Sequence, residues 1–298
     1  MYLVTCFKKL FSSPMFWATV IGTAAICMFS ELYFDPQTST SETVISMYAK
    51  YAREAMLSDS SLCSYGAFTA GFGNWAAMFA PVLAALASIG ICTDERKSGM
   101  WRFALSRVGR VRYGISGCLF ILISGGLALM LGYGLFGILT TIMFPPLSAY
   151  PPESAEMFRE LIFRPGSPIS GLFAAGGLPL CVTAELLETF FFGMVCSAAA
   201  MLLFSICENK YVIICTPFFL KYSLSQIASV TSFKAIEDPM NFNEKLLTFS
   251  ELIQPDGAKS FLSYSENALS VAILNAAFLA ISAVIFCVIR IRRLRNET

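Results

Sequence analysis

Apolar residues in this chain gather in long runs, and polar residues gather between them. A helix needs about 20 mostly apolar residues to cross a bilayer. Six runs meet that length: residues 14–33, 73–92, 114–140, 182–206, 210–230 and 268–290. The second has the clean core "WAAMFAPVLAALASIGIC", the fourth "TFFFGMVCSAAAMLLFSI", and the fifth is the least apolar. The pattern predicts an all-α integral membrane protein of six transmembrane helices, folded as one transmembrane domain over residues 1–298. The first run follows Lys8 and Lys9 and has no small-residue cleavage site, so it is read as a retained span, not a signal peptide.

The stretches between the runs carry weaker patterns. Near the start, Leu3, Phe7, Leu10 and Phe11 share one helical face beside Lys8 and Lys9. That predicts an amphipathic helix in the interface, ended by Pro14. Residues 39–57 open with "STSE", a Ser-x-x-Glu capping box, and continue with Val44, Tyr48, Tyr51 and Ala55 at helical spacing. A short helix is predicted at Glu153–Phe163, before "RPGSP" breaks it, and a helical turn at Asn243–Ile253. The loops at about 34–72, 141–181 and 231–267 are too short to hold a separate enzyme domain.

Charge sets the orientation. With the N-terminus inside, the inner pieces hold thirteen Lys and Arg: Lys8, Lys9, Arg96, Lys97, Arg102, Arg107, Arg110, Arg112, Lys210, Arg290, Arg292, Arg293 and Arg295. The much longer outer pieces hold seven: Lys50, Arg53, Arg159, Arg164, Lys234, Lys245 and Lys259. The positive-inside rule then puts both termini in the cytoplasm.

Composition agrees with burial in lipid: 56% of residues are hydrophobic and 14% charged, against about a quarter charged in soluble domains. A net charge of +1 gives no reason to expect nucleic acid as a partner. Histidine is absent, which removes the commonest metal ligand and neutral-pH base. The ten cysteines are scattered, with no CxxC; Cys63 and Cys181 fall outside the membrane, where pairing is open. No Walker phosphate loop, H-E-x-x-H or G-x-S-x-G occurs, so no catalytic, metal or cofactor site is expected on this chain.

Ionisable residues inside a span are costly and point to function. Lys221 lies near mid-depth in the fifth run, with Gln226 further along it. Two readings stand for Lys221: a transport-path residue, or a short span from which it snorkels outward. Glu185 and Glu188 share a helix face near the outer end of the fourth run, as an outer-rim polar pair or loop anchors.

The segment "CTDERKSGMWRFALSRVGRVRYGISG" breaks the oily pattern, with two acids and six bases between Asp94 and Arg112. Read as a helix over about 94–106, it places Met100, Trp101, Ala104, Leu105 and Val108 in one stripe. Thr93 or Asp94 would cap its start, where Asp94 and Glu95 suit the helix dipole.

This segment resembles the cytoplasmic loop after the second span in membrane subunits (permeases) of type-2 class ABC exporters. Glu95 and Gly99 match the spacing of that loop's Glu and Gly, and Arg110 and Tyr113 match its later Arg and Tyr. Gly109 stands where Ser is usual, and Ser116–Gly117 replace Gly-Lys. The resemblance implies a coupling helix that docks on a separate ATP-binding subunit, which holds the ATP and Mg. It implies two ATP-binding copies, and a second permease copy or a paralogue. Glu95, Arg96, Lys97, Gly99, Trp101, Arg102 and Phe103 become the expected coupling residues, with Trp101 and Phe103 as anchors and the bases at the rim. The expected location is a bacterial plasma membrane, and the expected cargo amphipathic or hydrophobic: a peptide, a drug or a lipid-like molecule. The alternative is a secondary transporter or membrane immunity protein that works without an ATPase.

Overall fold

The computed structural model describes residues 2–35, 40–57, 59–163, 167–236, 244–253 and 268–296. Almost all of them are helical. The chain opens with α1 (Tyr2–Phe11) and α2 (Pro14–Met28), bent 60° apart at Ser12–Ser13 with Pro14 as the first residue of α2. Pro14 suits this place, because the first helical N–H has no partner in any case. Five helices are each long and apolar enough to cross a membrane: α6 (Asn74–Lys97), α8 (Arg110–Met143), α10 (Pro168–Ile206), α11 (Lys210–Ile236) and α13 (Ala268–Asn296). The bent pair α1–α2 passes the same test when taken together, giving up to six. The protein is thus an all-α, multi-pass membrane protein.

Several expected boundaries move. The first span stops at Met28, and the chain then makes a two-stranded antiparallel hairpin, β1 (Glu31–Asp35) with β2 (Thr40–Thr43). The expected helix of the 39–57 segment starts only at Val44, as α3 (Val44–Lys50), followed by α4 (Arg53–Met56). Its cap is Thr43, which exchanges bonds with Ser46: the Ser46 N–H donates to Thr43 Oγ1 (3.2 Å), and the Thr43 N–H to Ser46 Oγ (2.8 Å). Ser39 of the expected box lies outside the described residues. Val44 and Met47 face inward, while Tyr48 and Tyr51 are exposed. The expected helix at 153–163 is α9 (Pro152–Ile162), and that at 243–253 is α12 (Glu244–Ile253). The fourth span is preceded by helix from Pro168 and kinks at Gly177, whose φ of 66° suits glycine, just before Pro179. The fifth continues to Ile236 despite Pro217.

Away from the basic residues, one end of the bundle is closed by aromatics. A short helix, α5 (Ser64–Ala70), lays Phe68 on Tyr133 of α8 at 4.3 Å between ring centroids, and the Tyr133 hydroxyl donates to the Phe68 carbonyl. Phe72 meets both Tyr133 and Phe192 edge-on. Cys63 and Cys181 are both buried here as free thiols.

Helix α8 is the centre of the bundle and touches α2, α6, α10 and α13. Lipid gives helices little hydrophobic reason to associate, so close backbone approach and van der Waals packing must do it. Glycines supply that approach. A Cβ on Gly193 of α10 would lie 2.8 Å from the Gly125 carbonyl oxygen and 2.9 Å from Gly126 Cα, both on α8. A Cβ on Gly132 would lie 2.7 Å from the Val20 carbonyl oxygen of α2. Helices α11 and α13 are covered far less and present Phe219, Ile227, Ile273 and Val284 outward. Gly193→Ala should therefore lower stability by about 1–3 kcal/mol, the cost of overpacking. Gly117→Ala, with open space around it, should be neutral. Thermal melts in detergent read both.

Candidate functional site: the basic end and the buried lysine

The expected coupling segment is two helices with a break between them. Helix α6 runs straight through Asp94 and Glu95 to Lys97, and Gly99 ends the turn at a φ of 69°. Only then does α7 (Met100–Val108) begin, and Gly109 closes it at a φ of 84°. The expected helix over 94–106 is corrected to 100–108. Thr93 and Asp94 do not cap it, because they belong to the last turns of α6. Glycine at a left-handed position just past a helix that ends in Arg96–Lys97 is ordinary C-terminal chemistry.

This break hands Glu95 and Arg96 to different neighbours. Glu95 faces α1: Lys9 Nζ lies 2.6 Å from one carboxylate oxygen, and the Tyr2 hydroxyl donates to the other at 3.2 Å. The bond to Glu95 raises the Lys9 pKa above its ordinary value. A raised lysine keeps its contribution at all pH values below the ordinary lysine range and loses it only as pH climbs through the raised value. The α1 contact is thus intact at neutral pH. Cys6 and Leu10 continue the buried face of α1, while Phe11, expected on that face, is exposed.

Arg96 faces the end of α10. Its guanidinium is 2.9 Å from Glu208 and donates to the carbonyls of Phe204 (3.5 Å) and Cys207 (3.4 Å). Arg293 of α13 meets the same Glu208 oxygen at 2.9 Å and the Ser205 carbonyl at 3.5 Å. The last carbonyls of a helix have no intrahelical donors, and two arginines supply them here. Arg96, expected as a rim charge for a partner, is an internal tie.

Helix α7 hangs from this platform. Trp101 and Leu105 are turned inward, each 8% exposed, in a small cluster with Tyr113, Tyr2 and Ala104. Trp101 therefore holds α7 to its own protein and is corrected as a docking anchor. Phe103 is 74% exposed and Met100 54%. With Arg107 they follow an i, i+3, i+7 spacing, one outward stripe. Arg102 lies over the Trp101 ring, its guanidinium carbon 5.5 Å from the centroid.

Inside the bundle, Lys221 does not snorkel. It is 7% exposed, donates to the Ala77 carbonyl of α6, and sits over the Phe192 ring of α10 at 5.4 Å. Pro81 explains the contact. A helical carbonyl normally accepts from the N–H four residues on, and four residues after Ala77 stands a proline. Lys221 fills the place of the missing donor, where lipid offers none. Glu188 is also buried, one turn before Phe192 on α10. Gln226 is exposed and takes no part. Glu185 is half-buried near the aromatic end, close enough for its charge to add to the burial that raises the Tyr65 pKa. The Glu208 tie and the Pro81–Lys221 pairing were absent from the sequence reading. Pro81 was the one readable signal, since a proline inside a span frees a carbonyl at a known place.

Among the described residues no cluster of three or more His, Cys, Asp and Glu is placed to hold a metal. No protein-family model matches the chain, and no curated protein matches it.

The proline account makes a sharp prediction. Lys221→Met should cost about 1–3 kcal/mol by leaving a buried carbonyl without a donor. Adding Pro81→Ala restores the backbone N–H and should recover most of that loss, measured as a double-mutant cycle on thermal stability. Purely additive effects would remove the explanation.

Proposed function

We propose that this chain is the permease subunit of an ATP-driven exporter of the type-2 ABC class. One observation carries the reading. Helix α7 is a short helix isolated between two positive-φ glycines, pinned on its inner side and bearing an apolar stripe with bases on its outer side. A pinned helix of that kind is a lever for a soluble partner. A mobile surface helix would absorb a push; one fixed through Trp101 and Leu105 passes it into α6 and α8.

The partner in this reading is a separate ATP-binding subunit, two copies per transporter, carrying ATP and Mg. Two permeases, identical or paralogous, complete the assembly in a bacterial plasma membrane. The docking stripe is Met100, Phe103 and Arg107, with Lys97 and Arg102 beside it; Gly99 sets the angle, and Glu95 and Arg96 hold the base. Closure of the ATPase pair on ATP would move both levers and shift the spans between inward and outward states. The lining of the spans is mostly aliphatic and aromatic, which suits an amphipathic or hydrophobic cargo. Lys221, bound to the Ala77 carbonyl, fits a packing role better than a transport-path one.

Met100→Asp with Phe103→Asp leaves the inner face of α7 untouched. It should weaken retention of the ATP-binding subunit during purification by about thirtyfold, the equivalent of losing about 2 kcal/mol at a hot spot. Thermal stability of the chain alone should hold. Full ATP-dependent export by the double variant, or no ATP-binding subunit on the parent chain, would sink the proposal.

A further inference from the structure

Between the end of α6, the start of α7, the end of α10 and the end of α13 lies a cavity of about 320 Å³. Thr93, Arg96, Lys97, Trp101, Arg102, Glu208 and Arg293 line it. Four cations face one carboxylate. Arg96 and Arg293 are already committed to Glu208 and the α10 carbonyls, which fixes the wall rigidly. Lys97 and Arg102 are exposed and have no carboxylate partner among the described residues. At about 320 Å³ the cavity has room for a phosphate and a small polar group.

We propose that this cavity binds the phosphate of an anionic phospholipid headgroup. Two features favour a lipid over a soluble anion or an acidic protein segment. The cavity sits where three membrane-spanning helices end, so it opens at headgroup depth. Trp101 on its wall is the side chain that membrane interfaces favour. The orientation set by the basic residues puts this end in the leaflet rich in anionic lipid. Lys97 and Arg102 also flank the docking stripe of α7, so lipid binding is measured on the chain alone, where no ATP-binding subunit competes for them.

The test is native mass spectrometry of the full chain in detergent, titrated with phosphatidylglycerol or phosphatidylcholine. Phosphatidylglycerol should be retained at least tenfold better. A direct hydrogen bond from a cavity side chain to the phosphate is worth about fivefold in affinity. Lys97→Gln with Arg102→Gln should therefore weaken phosphatidylglycerol binding about twenty-five-fold. Arg110→Gln with Arg112→Gln removes equal charge outside the cavity and should change it less than twofold. Melting temperatures of both variants are compared with the parent to confirm folding. Equal loss in the two variants would overturn the site in favour of diffuse surface charge. Displacement of lipid by inorganic phosphate at matching concentration would overturn the lipid assignment. So would normal lipid binding by the cavity variant that has lost an ATP-binding subunit, which would make the cavity a protein pocket.

Discussion

The basic end of this protein depends on two neighbouring residues of opposite charge. Successive residues on a helix point about 100° apart, so Glu95 and Arg96 reach different sides of α6. One takes α1 through Lys9 and Tyr2; the other takes α10 through Glu208 and the helix-end carbonyls. Exposed ion pairs are singly worth little. These gain from what they also satisfy: a tyrosine hydroxyl on one side and orphan carbonyls on the other. Arg293 adds α13 to the same glutamate. Four helices are thereby tied within one turn of the point from which α7 hangs, so α7 is a rigid extension of the bundle and not a surface appendage.

Within the membrane the rule is self-satisfaction. Many buried hydroxyls bond back to carbonyls three or four residues earlier on their own helix, as Thr19 to Met15, Thr23 to Thr19, Thr189 to Glu185 and Ser197 to Gly193 do, whereas Ser88 Oγ of α6 has no partner among the described residues. Such residues pass unnoticed in an apolar run, and they keep polar atoms off the lipid. Pro81 instead forces a long-range pairing. Pro81 removes a donor that α6 cannot replace from its own backbone, and a lysine from α11 fills the gap. A charged group in a span thus has a structural reason as definite as any transport role.

The spans were legible because each is a run longer than any alternative element would need. Helices α9 and α12 were legible from their polar flanks and spacing. The hairpin β1–β2 was not, because strands of five and four residues leave no period that a neighbouring apolar run does not swamp. The α6–α7 break was half legible. The stripe read from spacing was Met100, Trp101, Ala104, Leu105 and Val108; Trp101 and Leu105 do face inward, but Met100 is exposed beside Phe103 on the outward side, because a helix that starts at Met100 turns its first residue away from the bundle. Gly99 after Arg96–Lys97 carried the correct boundary as a helix stop. Glu208 and Arg293 were beyond reach, because a pairing across more than eighty residues of sequence has no local sign.

The two features that decide how force would travel lie on one helix. Ala77, held by Lys221, is near one end of α6; Glu95 and Arg96 are near the other. Eighteen residues at 1.5 Å each separate Ala77 from Glu95, roughly 27 Å and most of a bilayer's hydrocarbon thickness. A push on α7 would enter α6 at a point tied to α1, α10 and α13, and would arrive where α6 packs along α11, through Lys221 on the Ala77 carbonyl and the stacked rings of Phe79 and Phe218, 5.5 Å apart. Helices α6 and α11 would therefore move together, and Pro81 is the point at which α6 itself can bend.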